Sequence, residues 1–170
     1  MTKENNGETE LNPNFVTGYG YGESSFTVRI RRSLSSKFGY TFNPVFSVVA
    51  EANVANRKLL EKVKEYFGGV GSISTSGNML FYEISSLITL PVVIKHFDKY
   101  PLQTTKFVYY KLWCIIITML INKEQLTLEG FMKILAIRAV FGLSEKVLAA
   151  YPNVKPINKP EFKHESAPPH

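Results

Sequence analysis

The sequence predicts an α+β fold with elements in the order α-β-β-α-β-β-α, a four-stranded antiparallel sheet and additional C-terminal helices. Three observations carry that expectation. Phe26, Val28 and Ile30 alternate with Thr27, Arg29 and Arg31, the period-2 pattern of a half-buried strand with a basic outer side. In NRKLLEKVKEYF, the residues Leu59, Leu60, Val63, Tyr66 and Phe67 recur at helical spacing, and Gly68-Gly69 follows as a C-cap would. The stretch VGSISTSGNMLFYEIS divides into two strands around the turn residues Ser76, Gly77 and Asn78.

Taken in order, Asn12-Pro13-Asn14 forms a lead-in turn, and residues 15–22 form a short helix that needs tertiary support because it holds three glycines. The first strand starts at Ser25, and RSLSSKFG is the loop of a long hairpin. The chain returns from Tyr40 to Val49, where Pro44 predicts an edge position or a bulge. After the second helix and second hairpin, SLITLPVVIKHF reads as a third helix with Pro91 in its first turn. Two more helices follow, over residues 105–121 and 128–141, the latter N-capped by Thr127. The strands form one sheet, covered by helices on one side and open on the other. Residues 1–12 read as a polar leader, 13–150 as the domain and 151–170 as a Pro-containing tail or linker without hydrophobic period.

A chain of 170 residues with 45% hydrophobic content suits one domain with a real core, which excludes global disorder. Its 20 Lys and Arg against 14 Asp and Glu give a net charge of +6, which favours an anionic partner such as nucleic acid. The single cysteine, Cys114, excludes an internal disulfide and a cysteine zinc site. The leader resembles neither a secretory signal nor an Arg-rich transit peptide. The run LWCIIITMLI, from Leu112 to Ile121, is apolar except for Thr118, yet ten residues cannot span a bilayer. Such a helix is either buried on every side or meets a protein partner on its outer face.

In VTGYGYGESSF, neither G-x-x-x-x-G-K-[ST] nor G-x-G-x-x-G is present, so a phosphate-cradling loop is not indicated. Gly18 and Gly22 lie four apart on one helix face, a spacing that lets two helices approach closely. The stretch resembles the motif of the LAGLIDADG homing endonucleases, L-x-G-F-x-D-G-E-G-S-F, at Val16, Gly18, Tyr19, Gly22, Glu23, Ser25 and Phe26. Further stretches resemble the family's fungal mitochondrial branch, in the family's order: LLEKVKEYFGGVGSI, VIKHFDKYPLQTTK, NKEQLTLEGF, GLSEKV and YPNVKP.

The resemblance implies an αββαββα module whose curved sheet lies in the DNA major groove, two modules meeting at their motif helices. It implies cleavage of duplex DNA with divalent metal, Mg²⁺, which generates a water nucleophile and stabilises the leaving oxygen. Glu23 stands at the metal-ligand position, with the Gly22 carbonyl in support. Lys106 matches a basic residue beside the scissile phosphate, where it would stabilise developing charge; a surface Lys ahead of a helix would look the same. Thr27, Arg29, Arg31, Ser33 and Lys37 on the first hairpin, with Thr41 and Asn43 on its return, form the implied groove-reading set.

Several positions depart from the pattern. Tyr21 replaces a common Asp, and Ser24 replaces the glycine after the catalytic acid, where the backbone turns from helix to strand and φ > 0 is expected. Gly20 loosens the helix, and AEANVANR lacks polar pocket residues found in relatives. Phe81 and Glu83 fall on the nucleic-acid face, where a carboxylate repels phosphate unless it reads cytosine. Only one motif is present, so half an active site results, and cleavage needs a homodimer or a separate second half.

Two functions therefore stand as expectations. One is a divergent single-motif protein that binds nucleic acid through its sheet with cleavage weakened or lost, including an RNA-binding component of an organellar ribosome or splicing complex assembled through the Leu112 to Ile121 helix. The other is an active homodimeric Mg²⁺-dependent endonuclease making double-strand breaks at a near-palindromic DNA site. A mitochondrial, organelle-encoded origin follows from the same resemblance.

Overall fold

The computed structural model describes residues 11–159, without the side chains of residues 20–24 and 104. Helix α1 spans Pro13–Glu23. It starts where the Asn12 side chain accepts from the Asn14 amide at 2.8 Å and Pro13 supplies a pre-set φ at a position that needs no N–H. Strands β1 (Ser24–Arg32) and β2 (Tyr40–Glu51) follow, then α2 (Val54–Tyr66), β3 (Ser72–Ser76), β4 (Met79–Ile84) and α3 (Pro91–Lys99). The Asn53 side chain caps α2 by accepting from the Asn56 amide, and Gly68 and Gly69, with φ near +80°, end it as expected. Helices α4 (Thr104–Ile121), α5 (Leu128–Arg138) and α6 (Glu145–Ala150) complete the described chain, with 3-10 turns at Glu124–Leu126 and Ala139–Phe141.

The four strands form one sheet in the order β1-β2-β4-β3. β2 and β4 are antiparallel, with Phe46 opposite Ile84, Val48 opposite Tyr82 and Ala50 opposite Leu80, and all six are buried. Their neighbours Ser47, Val49 and Glu51 face Glu83, Phe81 and Met79 on the other side of the sheet. Because β2 is an inner strand, Pro44 does not mark a sheet edge. The pairing with β4 starts only at Phe46, so the missing N–H of Pro44 costs no bond in that ladder.

The chain divides into two compact units. In the first, which includes residues up to Arg29 and Asn43–Gln103, the buried sheet face meets α2 and α3 through an aromatic cluster. Phe26 packs edge-on against Phe97 at 5.2 Å between ring centres, and Phe46 lies 5.6 Å from Phe67. Leu60, Val63, Leu90 and Val93 fill the remaining core.

The second unit contains Ile30–Phe42 and the chain from Thr104 onward. Phe131 on α5 is its hub, touching Phe38, Phe42 and Tyr151, each with ring centres about 5 Å away. The Tyr151 hydroxyl donates to the Phe38 carbonyl, which fastens the β1–β2 loop to the segment after α6. That segment does not run free over residues 151–159: the Ile157 amide donates to the Ala136 carbonyl at 3.2 Å, and Lys159 Nζ to the Tyr109 hydroxyl at 3.3 Å.

The apolar run on α4 is explained largely by burial. Leu112, Trp113, Ile116 and Ile117 are fully buried, and Met119 and Leu120 nearly so. Only a strip with Ile115, Thr118 and Ile121 faces outward, and the Thr118 hydroxyl is turned back onto the Cys114 carbonyl at 3.0 Å. Among the described residues, no helix is long and apolar enough to cross a membrane.

Candidate nucleic-acid interface

Alternation along β1 buries Phe26 and Val28 and exposes Thr27, Arg29 and Arg31, as the pattern predicts. Thr41 and Asn43 are exposed on β2 in the same way. In the loop between the strands, Ser33 closes the hairpin by donating its amide to the Gly39 carbonyl at 2.9 Å, and Gly39 adopts φ +84°. Lys37 is exposed, with its ammonium 5.6 Å from the Phe38 ring centre. The Ser33 side chain is half-buried, 3.1 Å from the Ser35 hydroxyl.

Arg29 is engaged within the sheet. Its Nη2 lies 2.6 Å from Glu83 Oε1 and its Nη1 3.5 Å from Oε2. The guanidinium thus crosses from β1 over β2 to a carboxylate on β4. The Ser25 and Ser47 hydroxyls, on β1 and β2, are 2.7 Å apart. Glu83, which the sequence places on this face as a repulsive group, is neutralised by Arg29. Finding that partner from sequence requires the strand order, since the two residues lie 54 positions apart.

The backbone places Gly22 and Glu23 at the C-terminal end of α1, directly ahead of β1. The side chain of Glu23 lies outside the described ones, as do those of Tyr21 and Ser24, so the ligand geometry expected there is not described. Ser24 is the first residue of β1, an extended conformation that any residue adopts, so its replacement of glycine imposes no left-handed backbone. Nearer the start of α1, Val16 is buried while Phe15 is exposed and stacks on Tyr19 at 5.9 Å. Gly18 is exposed, and a Cβ added there would meet nothing within 4 Å. The helix therefore turns one face inward and leaves Phe15 and Gly18 on an open one.

Thr17 anchors the inward face. Its hydroxyl donates to the Tyr100 carbonyl and lies 2.9 Å from His96 Nε2, whose Nδ1 is 2.8 Å from the Tyr66 hydroxyl. His96 is 5% exposed, and burial pushes its pKa down to about 4. Sequence reading missed this network because residues 17, 66 and 96 share no local pattern.

Lys106 lies in the first turn of α4, half-buried, in the second unit; Glu23 belongs to the first. Among the described residues, no group of three or more His, Cys, Asp or Glu side chains is arranged to hold a metal ion.

Residues 16–117, from the middle of α1 to the last turns of α4, match the family described as LAGLIDADG endonuclease. The chain belongs to this family. A relative from Neurospora crassa named "Probable intron-encoded endonuclease 2" is 30% identical over 154 residues, covering 88% of this chain and 34% of the relative. The LAGLIDADG homing endonuclease I-GzeII, solved in complex with its DNA target, is 33% identical with a TM-score of 0.82, over 93% of this chain and 55% of that one. I-SmaMI, solved on an uncleaved DNA target in the presence of calcium ions, is 38% identical with a TM-score of 0.83, over 89% of this chain and 52% of that one. The chain thus spans about a third of that curated relative and about half of these two solved LAGLIDADG enzymes. The αββαββα order and four-stranded antiparallel sheet are those expected of the family.

Proposed function

We propose that this chain is a DNA-binding module of homing-endonuclease type that completes a cleavage site when a second motif helix meets the open face of α1. The observation that carries this reading is the outer sheet face, with Thr27, Arg29, Arg31, Thr41 and Asn43 exposed on adjacent strands. Hydrogen-bonding and cationic side chains of this kind, on a ribbon wide enough for a major groove, suit readout of duplex DNA. The A-form RNA duplex has a narrow major groove that such a sheet does not enter, so DNA is the partner we assign. Similar proteins were solved on DNA, which supports the assignment.

Gly18, with open space beside it on α1, supports close approach of a second helix there, from another copy or a separate module. Burial of most of the apolar α4 removes the compositional argument for a larger assembly through that helix.

Glu23 and the Gly22 carbonyl would supply oxygen donors, the type Mg²⁺ prefers, from the end of α1. One carboxylate and one carbonyl fall short of a full coordination shell, so a second acid from the partner helix and DNA oxygens would complete it. When bound, the metal supplies an activated water and charge neutralisation at the phosphate. A mitochondrial, organelle-encoded origin accords with intron-encoded relatives.

The test separates binding from cleavage. Wild-type protein and Glu23→Gln are compared on duplex DNA with Mg²⁺. Both are expected to bind, and only the wild type, paired with its second motif, to cleave. Full cleavage by Glu23→Gln would remove it as a metal ligand, and absence of duplex binding by the wild type would remove the module.

A further inference from the structure

We propose that Arg29 and Glu83 act together as a reader of one G·C base pair, Arg29 addressing guanine and Glu83 accepting from the amino group of cytosine. The inference rests on the proposed docking of the sheet face on duplex DNA.

The pairing leaves the required groups free. Nη2 to Oε1 at 2.6 Å and Nη1 to Oε2 at 3.5 Å form an end-on fork that uses one hydrogen from each terminal nitrogen. Nε–H and the outward Nη hydrogens remain, and together they match the N7 and O6 acceptors of guanine. Each carboxylate oxygen keeps a lone pair, which suits the N4 amino group of cytosine. Both side chains reach solvent, 42% and 28% exposed. In the register, Glu83 is flanked by Ser47 on β2 and Ser72 on β3, both small residues.

Charge argues in the same direction. A carboxylate on a surface that faces phosphates lowers non-specific affinity, and an exposed ion pair adds little stability in return. Its gain lies in specificity: it holds the guanidinium in one plane, away from the phosphates, and adds an acceptor for the cytosine amino group of the pair whose guanine Arg29 addresses.

The experiment selects duplexes from a pool of randomised sequence with the full chain, as wild type and as Glu83→Gln, and measures affinity for bulk duplex alongside. The wild type is expected to enrich a G·C pair at one position per half-site. Glu83→Gln should lose that preference by about tenfold while binding bulk duplex more tightly, other positions keeping their preferences. These opposite signs separate readout from a structural role, which would lower both. Unchanged preferences in Glu83→Gln, or a uniform loss of affinity, would overturn the inference and leave the DNA-binding reading intact. Failure of the wild type to bind any duplex would overturn both.

Discussion

Thr17 Oγ1 lies 2.9 Å from His96 Nε2 and 2.9 Å from the Tyr100 carbonyl oxygen, and these two distances assign every proton in the network. The hydroxyl has one hydrogen and the carbonyl can only accept, so that hydrogen goes to Tyr100 and Nε2–H donates to Thr17. In the neutral ring Nδ1 is then an acceptor, and the Tyr66 hydroxyl donates to it at 2.8 Å. The motif helix α1 is tied in this way to α3 and, through His96, to α2.

Acid should break this tie. Burial holds the His96 pKa at about 4 against an ordinary 6.5, so between those values the unfolded chain binds a proton that the folded chain does not. Stability contributed by the neutral ring is complete above pH 6.5 and lost as pH falls toward 4, on the order of 3 kcal/mol in all. Denaturant unfolding at pH 7 and pH 4.5 should show the loss, and His96→Gln should flatten it. An equal pH dependence in the variant would contradict the assignment.

Gly130, in the first turn of α5, has no room for a side chain. A Cβ there would sit 1.8 Å from the backbone oxygen of Glu124, in the 3-10 turn that precedes the helix. Backbone cannot yield as a side chain does, so Gly130→Ala should destabilise the chain by about 3 kcal/mol or more despite the better helix propensity of Ala. A melting temperature equal to wild type would show that the turn repositions freely.

Gly18 makes the opposite case. Nothing lies within 4 Å of an added Cβ, and the residue sits inside a helix, so Gly18→Ala should stabilise the isolated chain by up to about 1 kcal/mol. The same methyl group would hold a second helix off the open face and weaken association. Thermal melts and sedimentation equilibrium should move in opposite directions; association unchanged by the substitution would exclude this face of α1 as the contact.

Elements marked by local chemistry were legible in the sequence. Asn12-Pro13 at the start of α1, Pro91 at the start of α3, Thr127 before α5 and the Gly77 turn between β3 and β4 each act over a few residues. The short α6 was missed although Ser144 caps it, because six residues with only Val147 buried display no period. Pro44 reads as a signal for an edge or a bulge, and the sequence does not separate the two because strand order is not a local property. The same holds at the candidate site: alternation on β1 identified the exposed Arg29, whereas its bond to Glu83 exists only once β2 lies between β1 and β4.

The pairing of Arg29 also changes what its loss should do. With its charge offset by Glu83, Arg29→Ala should alter sequence preference more than salt dependence. Arg31 and Lys37 are exposed and form no salt bridge among the described residues, so they are the groups that should displace counterions from phosphates.

The most direct measurement of the central claim is the salt dependence of duplex-DNA affinity for the wild type and for Arg31→Ala combined with Lys37→Ala. DNA binding through the sheet face predicts a steep fall of log K with log salt for the wild type and a slope shallower by roughly two units in the double variant. A slope identical in the two proteins would show that this face does not carry the DNA.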